Sequence, residues 1–99
     1  MAQLRWTPQA ADDLESIADF ISLDSDHYAS LFVIDVIAAV ERLSQFPQLG
    51  RIVPELDDEV IRELLLGNYR IIYRLKDEWV EILTVYHGSR LLDPRQLTQ

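Results

Sequence analysis

Arg70 and Arg74 lie two positions either side of Ile72 in the run LGNYRIIYR, residues 66–74. On a strand, side chains two apart share a face, so Arg70, Ile72 and Arg74 point one way while Tyr69, Ile71, Tyr73 and Leu75 point the other. Two guanidiniums on one strand face suit a phosphate or a protein partner, or they pair with the chain's own carboxylates, Glu63 and Glu81 being the nearest candidates. Further along, Tyr86 and His87 precede Arg90. A neutral imidazole with a pKa near 6.5 is a serviceable general base, and His87 is the histidine placed to be one; His27 opens a helix and reads as surface. Arg51 follows Gly50 in a long loop, either as a contact residue or as a cap for helix-end carbonyls. No spacing of His, Asp and Glu suggests a metal site, no Gly-rich phosphate loop is present, and no cofactor is expected. Tyr69, Tyr73, Trp79 and Tyr86 fall on ordinary strand positions and read as sheet packing before base stacking.

The chain limits what such residues serve. It has 99 residues, a net charge of −8 and no cysteine, which excludes disulfides and thiolate metal sites and fits a reducing, cytoplasmic compartment. The length predicts one domain over residues 1–99. No apolar run reaches the roughly 18 residues of a membrane span. The acid excess is concentrated in the first half, which holds eight acids against Arg5 and Arg42, while residues 51–99 hold nine acids against seven bases. Such a surface attracts nucleic acid poorly, which argues against a general RNA- or DNA-binding module.

The elements that must position these residues follow from pattern. QLRW, residues 3–6, predicts a short opening strand. Thr7 as N-cap and Pro8 at the first helical position start a helix of about 15 residues whose apolar stripe is Ala10, Leu14, Ile17 and Ile21. Its acidic face, Asp12, Asp13, Glu15 and Asp19, reads as solvated. Asp24 or Ser25 caps a second helix running to about Phe46, with Val33, Val36, Ile37, Val40 and Leu43 at helical spacing and Phe32, Ile34 and Ala39 widening the apolar surface. That breadth predicts contact on two sides. A loop over 47–59 follows, then three strand-like runs, VIRELLL, YRIIYRL and WVEILTVYH, joined by tight turns at GN and KDE. Gly at the first turn position suits a type II′ hairpin. The expected fold is α+β in the order β-α-α-β-β-β, a helical hairpin packed on a small antiparallel sheet.

This order, with WTPQAADDLESIADFI, LSQFPQLGRIVPEL and IRELLLGNYRIIYRLKDEWVEILTVYHGSR in sequence, resembles the RelE/ParE superfamily of bacterial toxins over nearly the whole chain. These are the toxin halves of type II toxin–antitoxin modules, associated with growth arrest and plasmid stabilisation. RelE-like members are metal-independent ribonucleases that cut mRNA in the ribosomal A site; ParE-like members share the fold and poison DNA gyrase. A ribonuclease using the 2′-hydroxyl needs a base, an acid for the leaving oxygen and cations for the phosphorane charge.

In the ribonuclease branch, the resemblance places lysines in the strand before the hairpin, an arginine after the hairpin tyrosine, another after the last strand and a tyrosine near the C-terminus. Arg70 and Arg90 match the arginines. Ile61 and Glu63 stand at the lysine positions, and Arg62 between them points to the other face. Gln96 stands at the tyrosine position. The resemblance therefore implies a ParE-like gyrase inhibitor, not itself an enzyme, neutralised by a cognate antitoxin. Candidate target contacts are Arg51, Arg70, Tyr86, His87 and Arg90; candidate antitoxin contacts are Phe32, Val36, Arg62 and Arg74. Two other readings stand beside it. One is a ribosome-dependent mRNA endoribonuclease using Arg70, His87 and Arg90, with ribosome and mRNA as partners. The other is an inert family member that acts only as a binding module.

Overall fold

A computed structural model describes residues 1–88; Arg90 and Gln96 lie outside the described residues. The chain begins with β1 (Gln3–Trp6), continues through α1 (Pro8–Ser22) and α2 (Asp26–Glu41), and tightens into a 3₁₀ turn at Arg42–Ser44. The strands β2 (Arg51–Ile52), β3 (Ile61–Leu66), β4 (Tyr69–Lys76) and β5 (Trp79–His87) complete a five-stranded sheet in the order β1-β5-β4-β3-β2.

Both helices begin as the sequence predicts. The Thr7 hydroxyl accepts from the Ala10 amide at 3.2 Å while donating to the Ile82 carbonyl at 2.7 Å, so one side chain caps α1 and ties it to β5. Ser25, not Asp24, caps α2, accepting from the Tyr28 amide at 3.2 Å. The second helix ends five residues before Phe46, where the 3₁₀ turn takes over. Among the described residues no helix is long and apolar enough to cross a membrane.

The meander β3-β4-β5 is antiparallel as expected. The opening strand pairs parallel with β5, Leu4 opposite Val80, which makes the sheet mixed. A parallel neighbour needs a long crossover, and the helical hairpin together with the meander supplies it. The loop over 47–59 contains β2, too short for a pattern to reveal, with Arg51 opposite Glu63 and Ile52 opposite Arg62. Gly67 sits at φ +58° and is the residue of the GN turn with positive φ, as a type II′ hairpin requires. Asp77 takes the same role in the β4–β5 turn at φ +57°, where an L side chain is mildly strained.

Two apolar clusters sandwich the sheet. The larger lies between sheet and helices and joins Ala10, Val36, Val40 and Leu43 to Ile71, Tyr73, Val80, Ile82 and Val85. Each fully buried aliphatic side chain there contributes roughly 1.5–3 kcal/mol relative to exposure. The smaller lies on the other face, where Val53 from the long loop covers Ile61, Ile72 and Leu83.

An irregularity in β5 decides the geometry of the site. Ile72 pairs with Thr84, but Tyr73 pairs with Ile82, leaving Leu83 as an extra residue opposite the 72/73 step. This bulge reverses the side-chain alternation along β5. Val80 and Ile82 face the helices before it; after it Val85 does, and Tyr86 turns to the opposite face. Asp13 seals the irregularity: its carboxylate accepts from the Thr84 hydroxyl and, at 3.4 Å, from the Val85 amide. Asp13 is therefore not part of a merely solvated acidic face.

An ion network on the sheet face opposite the helical hairpin

Arg70 is nine-tenths buried, its side chain retaining 9% of its exposure. Its Nε donates to Glu63 at 2.6 Å, and the two terminal nitrogens donate to the two oxygens of Glu55 at 2.7 and 2.8 Å. The Tyr86 ring lies against the guanidinium, 5.3 Å from its centre. Glu63 has a fully buried side chain and also accepts from Arg51 Nε at 2.6 Å. Among the described residues, these two guanidiniums and two carboxylates join into one network across β2, the loop after it, β3 and β4. Bidentate arginine–carboxylate geometry of this kind is the strong form of the ion pair. It drives the Arg70 pKa upward, with the Glu55 hydrogen bonds the largest cause and burial the opposing one.

Arg74, two residues on and on the same face, belongs to a second pair. Its Nε and a terminal nitrogen donate to one Glu81 oxygen at 2.9 and 2.7 Å, with Arg5 3.7 Å from the other oxygen. The Arg74 hydrogen bonds hold the Glu81 carboxyl below its ordinary range against the effect of burial. The chain's own carboxylates therefore take both arginines. Arg51 does not cap helix-end carbonyls; it reaches Glu63 instead.

His87 does not join the arginine face. It pairs across the strands with Tyr69, whose ring centre is 5.4 Å from the imidazole and 4.8 Å from Phe32 of α2. Tyr86 pairs with Arg70. Directly opposed residues share a face, so His87 and Arg70 stand on opposite sides of the sheet. His87 thus approaches the arginines from the other side of the sheet and not from their own face. His87 and Arg70 come together at the turn end of the β3–β4 hairpin, where a cavity of about 340 Å³ is bordered by Arg51, Glu55, Gly67, Asn68, Arg70 and His87. Among the described residues no cluster of three or more His, Cys, Asp or Glu could hold a metal ion.

The predicted antitoxin contacts separate. Val36 is fully buried in the core and offers nothing to a partner, because it lies on the inner side of α2. Phe32 is half-buried against Tyr69. Arg62 faces away from Glu63, as the alternation requires, and donates to the Gly50 carbonyl at 3.0 Å. The second contact side that the breadth of α2 predicted is the outer side of the hairpin, although the candidate antitoxin contacts did not include its residues. There Ile34 and Phe46, 61% and 60% exposed, line an apolar groove of about 580 Å³ with Ile37 and Val33. The signal was the excess width of the α2 apolar surface.

Two helices packed on a five-stranded mixed sheet is an architecture this chain shares with solved toxin–antitoxin structures. Residues 4–92 match the family model of the ParE toxin of the type II toxin–antitoxin system parDE. The chain is 34% identical over 92 residues to Toxin RelE2 of Caulobacter vibrioides, covering 92% of this chain and all of that one. The solved chromosomal ParDE system from P. aeruginosa aligns with a TM-score of 0.73 at 29% identity, covering 88% of this chain and 96% of the other. The toxin–antitoxin complex RelBE2 from Mycobacterium tuberculosis aligns at 0.60 and 26%, covering 87% and 96%. The chain belongs to the ParE toxin family of type II toxin–antitoxin systems, within the RelE/ParE superfamily.

Proposed function

We propose that this toxin acts as a ParE-like inhibitor of DNA gyrase, by binding and not by catalysis, and that a cognate antitoxin neutralises it. The observation that carries this reading is the commitment of Arg70. Its guanidinium is held by Glu63 and Glu55, and Glu63 stands buried at a position where the ribonuclease branch is expected to hold a lysine. A buried carboxylate there opposes a phosphodiester electrostatically, and the imidazole lies across the sheet. The antitoxin part rests on the apolar groove of the hairpin, which suits the i, i+3, i+4 anchors of an amphipathic segment. The related solved structures are themselves a ParDE system and a RelBE2 complex. Gyrase and ribosome are both cytoplasmic, so the proposal places the chain there.

A second reading, ribosome-dependent mRNA cleavage, draws support from the cavity that Arg51, Arg70 and His87 border together. One assay separates the two. Purified chain is incubated with gyrase, ATP and supercoiled plasmid, then treated with detergent and protease. Linear DNA rising with dose supports gyrase as target. Uncut plasmid from a chain that still arrests growth refutes it, and ribosome-dependent mRNA cleavage, with its dependence on His87, becomes the reading to test.

A further inference from the structure

The apolar groove on the outer side of the hairpin continues beyond Ile34. A second cavity, of about 490 Å³, extends it toward the turn between α1 and α2, and the two share Val33 and Ile34. On α2 their walls trace one stripe through residues 26, 29–30, 33–34, 37–38 and 41–42, the spacing of a single helix face. From Asp26 to Glu41 that stripe rises about 22 Å along the helix. Ala29, Ser30 and Ala38 are small and let another helix come close, while Ile34 stands up between them as a ridge.

The rim carries charge of mainly one sign. Asp19 and Asp26 stand at the end near the α1–α2 turn and Glu41 at the other, and Arg42 is the one base among the lining residues. Among the described residues none of these three carboxylates enters an ion pair. We propose that the antitoxin segment seated in this groove is an amphipathic helix of about four turns that carries lysine or arginine near both ends. The inference rests on the reading of the groove as the antitoxin surface and adds the charge of its occupant. Apolar contact alone would seat a helix of either sign. Three unpaired carboxylates against one guanidinium favour the cationic one, and the half of the chain that builds the hairpin holds eight acids against two bases, so its long-range field has the same sign.

The test uses the full chain and two fluorescein-labelled peptides of about 18 residues with one shared leucine–alanine stripe. One has lysine at the polar positions near both ends and the other has glutamate there. At about 50 mM salt, anisotropy is expected to show the lysine peptide bound at least about tenfold more tightly, with the gap shrinking severalfold at about 0.5 M. Asp19→Asn/Asp26→Asn is expected to weaken the lysine peptide about three- to tenfold. Glu59→Gln/Glu78→Gln makes the same charge change on exposed residues away from the hairpin and should stay within about twofold. Ile34→Asn, which adds no charge, should weaken both peptides. All these positions are exposed, and an unchanged thermal midpoint reports that the fold is retained. Equal binding of the two peptides, lost together in Ile34→Asn, overturns the inference and leaves the groove as the antitoxin surface. An Asp19/Asp26 effect no larger than the control also overturns it. Lysine-peptide binding that Ile34→Asn does not weaken overturns it by placing the peptide elsewhere.

Discussion

Tyr73→Phe removes one oxygen from the core and should cost far more than an oxygen's worth of packing. The Tyr73 hydroxyl accepts from the Gly50 amide at 2.8 Å and donates to the Pro47 carbonyl at 2.8 Å, closing the start of the long loop onto β4. Tyr73 and Gly50 are both buried, so the variant strands a buried N–H. A stranded buried donor costs about 1–3 kcal/mol, and the second lost bond adds about 1, giving a total of about 2–4 kcal/mol. For a domain this size that lowers the thermal midpoint by roughly 8–20 °C. Urea unfolding should show a lower midpoint at an unchanged slope, because the surface exposed on unfolding is the same.

The same hydroxyl has a pH signature. Burial raises the Tyr73 pKa above its ordinary value near 10. Below that value the phenol is neutral in both states, and between it and the higher folded value only the unfolded chain ionises. Stability therefore falls as the pH rises through this range, and Tyr73→Phe abolishes that contribution. Tyr28→Phe, on a well-exposed residue, is the control and should stay within about 0.5 kcal/mol. A loss below about 0.5 kcal/mol in Tyr73→Phe would refute the latch, since no stranded buried amide is that cheap.

Other perturbations address the ion pairs and the groove. Glu63→Ala takes the shared carboxylate from Arg70 and Arg51 and should cost about 3 kcal/mol, the low end for breaking a buried pair because Glu55 still holds Arg70; chemical denaturation measures it, and an unchanged midpoint contradicts it. Glu81, held below its ordinary range chiefly by Arg74, contributes stability that is complete above about pH 4.3 and is lost as the pH falls through its lower folded value. Arg74→Met should flatten that part of the acid-unfolding profile. Ile34→Asp, on an exposed groove residue, should leave the thermal midpoint within a few degrees and weaken antitoxin binding at least tenfold by calorimetry, or else the groove is not the antitoxin surface.

Much of the architecture was legible because it is written in local chemistry. Thr7-Pro8 marks the start of α1, Ser25 the start of α2, and Gly67-Asn68 the hairpin between β3 and β4, each through backbone requirements that few other residues meet. Face assignment along β4 also held, because strict alternation needs only a regular strand: Arg70 and Arg74 share a face, and Arg62 lies away from Glu63. The two-residue strand β2 has too few residues to show any period, and the parallel pairing of β1 depends on a partner more than seventy residues away.

The composition and order of residues determined an α+β toxin scaffold with an excess of acids and two arginines on one strand face. Tertiary structure decided what those arginines meet. Glu63 reaches Arg70 diagonally across the β3–β4 pairing, as the sequence allowed, whereas Glu55 reaches it because a loop folds back over the sheet, an event no spacing rule encodes. His87 leaves the arginine face because one extra residue, Leu83, is accommodated in β5 and sealed by Asp13 from α1. A sequence records which side chains exist at period two. Where a strand slips that period is set by what packs against it, and here that slip separates the imidazole from the guanidinium.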